Sequence, residues 1–459
     1  MRNRSGIASQ EDSVIASAGR ILRRWRRVIA FFALSGSLFA QNPITPPGIY
    51  IADPSAHVWP DGKLYIYGSL DESPQYYCSW KHHVLVTGDL RTWTLYRDVF
   101  SSKGAGDAVP YNDDLLFAPD CAARKDTFYL YYCQPSRNAP EGVAASLSPT
   151  GPFSNGQPLN LGGYNQIDPS LFVDDDGEEY YLWGQFTMKM AKMKPSMREL
   201  DLSTLRDSIL TEGEHHFHEG AFLAKRHGMY YLIYADISRA DMPTCIGYAT
   251  STSPFGPYKY GGVIVDNDHC NPGNWNNHGS IVEFKDKWYV LYHRSSHGCN
   301  TMRKACIEPI TFRADGSIPE VEMTTQGAGG PLDARVMLEA ERACMLFGNV
   351  RVEEYAPEQE ALAGMRNGDK AVFKYIDFKS GVKSMTVRIL APEGGRLIAA
   401  IDQPWHQRIA EMNVPASSAN RGWQTVTFKV GSVTGVHALW LQFSAKGNES
   451  CSLDWLKFD

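Results

Sequence analysis

A turn leading into a run of β-forming residues occurs five times in the N-terminal part of this chain, and that repetition limits the possible folds more than any other feature. The copies are DGKLYIYGS (61–69), KDTFYLYYC (125–133), DGEEYYLWG (176–184), HGMYYLIYA (227–235) and KDKWYVLYH (285–293). Each opens on a Gly- or Asp-containing turn and continues as alternating or unbroken apolar and aromatic residues, the pattern of a hairpin's second strand. A strand-like segment precedes each copy: IADPSAHVW (51–59), LFAPDCAAR (116–124), IDPSLFVDD (167–175), HEGAFLAKR (218–226) and NHGSIVEFK (277–285). A further strand follows in HHVLVTGDL, EGVAASLSP, TCIGYATST and ACIEPITFR; the third copy's version, around Met188–Met193, is the least clear. Such repeats, at intervals of about 50 to 65 residues, bury their faces by stacking on their neighbours. Placing three or four strands per repeat around an axis leaves no long open edge, which predicts a five-bladed β-propeller over residues 41–325. An open solenoid needs shorter, more uniform repeats, and helical periodicity is nearly absent.

After the fifth copy the texture changes. Residues 326–335 open with QGAGGPLD and read as a linker. From 336 to 459 the chain holds short alternating strands (KAVFKYIDF, SMTVRILAP, WQTVTFKVG, HALWLQFSA, SLDWLKFD), which predict a jelly-roll-type β-sandwich. At the other end, basic RILRRWRR (20–27) runs into apolar VIAFFALSGSLFA (28–40) and polar Gln41. That is the pattern of a signal peptide over residues 1–40, too short to cross a bilayer, so a secreted or periplasmic chain without a membrane span is expected. The net charge is −6 with no basic stripe, which argues against a nucleic-acid partner. The nine cysteines are an odd number without CxxC spacing, and read as buried thiols with an occasional disulfide, for instance Cys121 with Cys133.

The first strands of a propeller line its axis, and here they carry acids in register with the repeat: Asp53 in ADPS, Asp168 in IDPS and Glu219 in HEGA. Asp120 occupies the second copy and reads as a structural hydrogen bonder at a strand end; His278 occupies the fifth. A lone Asp-Pro is usually a turn. Three acids from three blades, pointed into a narrow funnel, carry a desolvation cost that a turn does not explain. Paired carboxylates suit glycoside cleavage, one protonating the leaving oxygen while the other, ionised, activates water or attacks directly. A third acid can raise the proton donor's pKa by like-charge repulsion. Asp174–Asp176 read as a solvated hairpin tip.

These residues, with the stretch NHGSIVEFKDKWYVLYHR, resemble glycoside hydrolase family 43 from about Asn42 to Thr325. The resemblance implies a five-bladed propeller acting by inversion, with Asp53 as general base, Glu219 as general acid and Asp168 as the residue that tunes and orients Glu219. It implies that His278 stands at or near a central calcium ion or ordered water, and that Arg294 faces the substrate. Phe117 stands in the substrate wall where members commonly have Trp. The second domain resembles carbohydrate-binding module family 6 through LEAER (338–342), GDKAVFKYIDF, GWQTVTFKV, GVHALWLQF and LDWLKF. That likeness implies a structural calcium held by Glu339, Glu341 and Asp454; an ordinary salt-bridged strand edge is the alternative. Ser452 stands where many members have a ligand-contacting Asn. Trp405 and Trp423 are stacking platforms or core.

The expected activity is removal of terminal or side-chain sugars from oligo- or polysaccharide without a catalytic cofactor. The resemblance implies α-L-arabinofuranosyl groups first and β-xylosyl second, with galactofuranose and other furanosides open. A non-catalytic sugar-binding propeller is the rival. Fructan hydrolysis on a related scaffold calls for a Trp-x-Asn-Asp-Pro motif, which Tyr50–Pro54 lacks. The long aromatic segments SPQYYCSWKHH (73–83) and NDHCNPGNWNN (267–277) are placed to shape the mouth.

Overall fold

The computed structural model describes residues 41–135, 141–239, 241–417, 422–445 and 449–459; the segment read as a signal peptide lies outside them. No described helix is long and apolar enough to cross a membrane.

Five antiparallel sheets follow one another along the chain, each built in sequence order. Their inner strands are Ile51–Val58, Phe117–Arg124, Ser170–Val173, Phe217–Arg226 and Ser280–Phe284. Four sheets have four strands and the fifth has three. Each inner strand touches the next, and the fifth touches the first, so the ring is closed. The second strands, Leu64–Leu70 and Glu179–Trp183 for instance, are buried along their whole length because a neighbouring blade covers each face. That double burial explains why the repeats read as unbroken apolar runs.

Five hydrophobic clusters fill the five gaps between blades. The first and second blades meet through Tyr65, Tyr67, Leu130 and Tyr132, and the second and third through Tyr131, Tyr181 and Trp183. Phe217 and Tyr234 of the fourth blade pack on Leu182 and Met190 of the third, and Ile233 and Tyr248 on Val290 and Tyr292 of the fifth. Ile51, Ile66 and Leu85 close the circle against Leu291 and Ile307. The N-terminal segment seals this last gap: Ile44 N–H donates to Ala305 O (2.9 Å). The Asn42 side chain imitates a strand partner, accepting from Ile307 N–H (2.8 Å) and donating to Ile307 O (3.1 Å) and Glu308 Oε1 (2.8 Å).

Residues 332–459 form two six-stranded sheets, one ordered Leu332–Asp333, Lys370–Asp377, Val436–Ala445, Gly395–Ile401, Arg408–Val414, the other Arg351–Ala356, Gln359–Met365, Cys451–Phe458, Ser384–Leu390, Gln424–Lys429; Met345–Phe347 and Leu338–Glu339 add to them. Their facing sides enclose one core, with Phe373, Met385, Leu439 and Leu453 at its centre. The Gly-rich segment from 326 is docked: Gln326 N–H donates to Lys374 O (2.9 Å), and Leu332–Asp333 pairs in parallel with Ile376–Asp377. Cys344 and Val372 join the cluster of Cys270, Tyr292 and Cys306 on the fifth blade. A buried ion pair between Lys304 and Glu360 (2.6 Å) links the same two bodies.

Two expectations are corrected here. All nine cysteines are free thiols. Cys121 pairs across the sheet with Leu130 and Cys133 with Phe117, so the two thiols are offset along the ladder and cannot form a disulfide. Asp174 is no solvated tip, for it is buried and bound by Lys225 (2.5 Å) and Tyr230 Oη (2.5 Å) of the fourth blade, leaving Asp175 and Asp176 outside.

Candidate active site

At the start of the inner strands the backbone departs from regular pairing. Register shifts fall between Ala52 and Ser55 in the first blade, Phe117 and Asp120 in the second, and Phe217, Glu219 and Phe222 in the fourth. Such bulges re-aim side chains at a barrel or propeller rim. Asp53 (φ 52°) and Asp168 (φ 65°) adopt the left-handed conformation, strained for a non-glycine residue and commonest where a site holds it in place. In the fourth blade Gly220 (φ 72°) takes that conformation instead. A Cβ there would lie 2.8 Å from the His278 ring, so only a glycine lets His278 pack against the residue next to Glu219.

The three acids meet and sit in three different environments. Asp53 is buried; its Oδ1 accepts from Arg303 Nη1 (2.8 Å) and its Oδ2 from Ser69 Oγ (2.6 Å). Its backbone N–H donates to His293 Nδ1 (3.2 Å), and His278 Nδ1 lies 3.6 Å from Oδ1. Burial alone would raise its pKa, but Arg303 beside it, with the two imidazoles, holds it well below the usual carboxylate range. Asp168 is equally buried but pairs with no cation among the described residues. Burial first, then the negative charges of Glu219 and Asp53, push it well above that range. The charges it feels come from the first and fourth blades, which places all three carboxyls in one electrostatic neighbourhood. Glu219 is half-buried, and its Oε2 accepts from Gln185 Nε2 (2.7 Å). Asp168, cut off from water, carries a like-charge effect from its neighbours.

Asp120 is structural, as expected. It is buried and accepts from His57 Nε2 (2.6 Å), Ser170 Oγ (3.0 Å) and Leu171 N–H (2.7 Å), lacing three blades. At this axial end, Phe117 opens its strand opposite Cys133, whose Sγ accepts the Asp168 N–H (3.4 Å). The far end of the axis opens into a cavity of about 310 Å³ lined by His57, Trp59, Phe172, Phe222 and Trp288.

Arg294 does not face the site. Its guanidinium is enclosed by Tyr292 Oη (2.7 Å) and Glu308 (3.6 Å), so it braces the fifth blade. The arginine at the site is Arg303, which sequence reasoning passed over. It binds Asp53 and forks onto Asp71, Nε to Oδ2 at 2.9 Å and Nη2 to Oδ1 at 3.0 Å. The available signal was an Arg immediately before the buried run of the fifth blade, matched by an Asp just after the buried strand of the first.

The proposed metal ligands fare differently. Among the described residues no group of three or more His, Cys, Asp or Glu is close enough to hold a metal ion. His278 faces a carboxylate already matched by Arg303. In the sandwich, Asp454 is taken by Arg388 and by Tyr355 Oη (3.1 Å). Glu339 and Glu341 are raised, foremost by burial, Glu341 to about 8. As placed, Glu339, Glu341 and Asp454 do not fit a three-carboxylate calcium site, because the cation opposite Asp454 is an arginine. Trp405 is 76% exposed, and Trp423 packs on Tyr355 at 4.9 Å.

Comparisons with known proteins identify both domains. Residues 40–318 match the family model "Glycosyl hydrolases family 43", and residues 339–459 match "Carbohydrate binding module (family 6)". A xylosidase/arabinosidase of Thermoclostridium stercorarium is 30% identical, covering 89% of this chain and 97% of that protein. An arabinoxylan arabinofuranohydrolase of Bacillus subtilis (strain 168) is 27% identical over 86% of this chain and 88% of that protein. Among solved structures, a β-xylosidase/α-arabinofuranosidase from a compost metagenome, in complex with xylotriose, is 29% identical, covering 61% of this chain and 98% of that one with a TM-score of 0.53.

Proposed function

The chain belongs to glycosyl hydrolase family 43 and is a glycosidase, and on that premise we propose that it removes terminal or side-chain pentosyl groups from plant-type polysaccharide, α-L-arabinofuranosyl first and β-xylosyl second, by inversion. The names of its relatives support the sugar, and the carbohydrate-binding type of second domain supports a polymeric substrate.

One observation carries the chemistry: three carboxyls from three blades share one site yet are held in different protonation environments. Asp53, ionised by Arg303 and its histidines, is the base that takes a proton from the attacking water. Burial and the charges of Glu219 and Asp53 favour a proton on Asp168 in the free enzyme, beside Glu219 in the same site. A sugar entering the mouth strips water from half-buried Glu219 and raises its demand for that proton. Glu219 then donates it to the leaving oxygen, and Gln185 fixes the carboxyl's orientation.

The test is a chromogenic panel of aryl arabinofuranoside, xyloside and galactofuranoside, plus arabinoxylan, with Glu219→Ala as control. The arabinofuranoside should be cleaved fastest, and proton NMR of the first product should show the inverted anomer. Equal rates for wild type and Glu219→Ala on every substrate would remove the hydrolase reading, and a retained anomer would remove inversion.

A further inference from the structure

The segment 71–80 carries a phenol that the proposed chemistry leaves unused. Tyr77 is half-buried, and its hydroxyl is shielded from solvent without a hydrogen-bond partner among the described residues. Its ring lies under the Arg303 guanidinium at 4.8 Å, the guanidinium that grips Asp53. Burial first, opposed by Arg303 and assisted by the charges of Glu219, Asp53 and Asp71, pushes the phenol's pKa up to about 12. A neutral O–H therefore stands where general base and general acid both act, and burial without a partner leaves its desolvation uncompensated.

The loop that presents it is fixed. Asp71 Oδ1 accepts the Cys78 N–H (2.9 Å), and Arg303 Nη2 lies 3.6 Å from Cys78 Sγ. Cys78 itself is held at φ 65°, a strained conformation for a non-glycine residue. Ser79 bridges to Leu116 of the second blade, and Trp80 Nε1 donates to Asp113 O (3.0 Å). The chain immediately after Tyr77 is thus tied to the first and second blades.

We propose that Tyr77 is a substrate-binding residue whose hydroxyl takes a hydrogen bond from, or gives one to, a hydroxyl of the sugar held between Asp53 and Glu219, and so helps determine which glycosyl group the mouth accepts. The inference rests on the hydrolase reading and adds a named contact to it. A site built around a substrate hydroxyl rejects the analogue lacking it, because its own polar group is then left unpaired.

The experiment compares wild type with Tyr77→Phe on aryl α-L-arabinofuranoside and β-D-xyloside, and on the monodeoxy analogue at each ring or side-chain position. On the parent glycosides Tyr77→Phe should lower kcat/KM by about 10- to 100-fold with an unchanged melting temperature. On one deoxy analogue, the one lacking the contacted hydroxyl, the two enzymes should become equal. A uniform loss across all analogues would mean that the phenol acts on water or on the carboxylates, and would overturn the proposal. Full activity of Tyr77→Phe on the parents would overturn it too, leaving the hydrolase reading intact. Inactivity of the wild type on both parents, matched by Glu219→Ala, would sink both together.

Discussion

The molecule holds two clusters of three acids, one on the propeller axis and one at the edge of the sandwich, and only the first is built for chemistry. In both, one carboxylate is matched by an arginine, Asp53 by Arg303 and Asp454 by Arg388. In both, burial and neighbouring charge push an acid up, Asp168 on the axis and Glu339 and Glu341 in the sandwich. Perturbed pKa values therefore do not separate the clusters, since structural ion networks perturb them as strongly as active sites do. Access and division of labour do separate them. The axial set keeps Glu219 half-buried near a phenol without a partner among the described residues, whereas the sandwich acids serve the end of a strand pair, Glu339 opposite Trp455.

The largest expected effect tests that division. Asp53→Asn and Glu219→Gln should each lower kcat on arabinoxylan by about 10²–10⁴-fold, the usual worth of a positioned base or acid. Glu219→Gln should lose less on an aryl glycoside, whose activated leaving group needs less proton donation, and steady-state rates on both substrates decide it. Asp454→Asn should leave kcat unchanged. A comparable loss there would erase the distinction between the clusters.

The two arginines sharpen the contrast inside the propeller. Replacing Arg303 by Met removes the charge that holds Asp53 low, so the Asp53 pKa rises and the acid limb of the kcat/KM profile moves to higher pH. Arg294→Met should instead lower the melting temperature and leave that limb in place, because its guanidinium contacts Tyr292, Glu308 and Thr324 and none of the three acids. The Lys304–Glu360 pair gives a purely structural effect. Glu360→Ala strands a buried ammonium and should cost about 3–5 kcal/mol, read by denaturant unfolding, whereas a Lys304→Met/Glu360→Leu double variant should recover most of it.

How much of this was readable in advance follows from the range of each interaction. The blades were legible because a strand covered on both faces must be apolar throughout, and a hairpin turn announces itself locally; the strand Met229–Asp236 falls within the repeat HGMYYLIYA and one residue beyond it. The acids were legible because the repeat fixes which strand faces the axis. Arg303 was not, since its importance lies in reaching Asp53 and Asp71 across some 230 to 250 positions of sequence, and a nearer arginine fitted the same description. The docking of 326–335 was also hidden, because a Gly-rich stretch reads alike whether it swings free or lies along a neighbouring strand.

The smallest expected effect returns to the sandwich. Glu341 is buried, with Oε2 meeting no partner among the described residues, and burial lifts its pKa to about 8, opposed by Arg342 and assisted by Glu339 and Glu360. A carboxyl whose folded pKa lies above its unfolded value near 4.5 holds its proton longer in the native state. Its contribution to stability is therefore present at low pH, declines as pH rises above that unfolded value, and is gone beyond 8. Wild type should melt lower at pH 8.5 than at pH 5.5, and Glu341→Gln, neutral at both, should narrow the gap by an amount on the order of 2–3 kcal/mol. A calcium ion seated on Glu339 and Glu341 would invert every sign: the carboxylate would be needed at pH 8.5, Gln would destabilise, and a chelator would lower the wild-type melting temperature. Arg388 would then have to leave Asp454, so scanning calorimetry at the two pH values, with and without chelator, distinguishes a cluster closed by arginine and a proton from one closed by a metal.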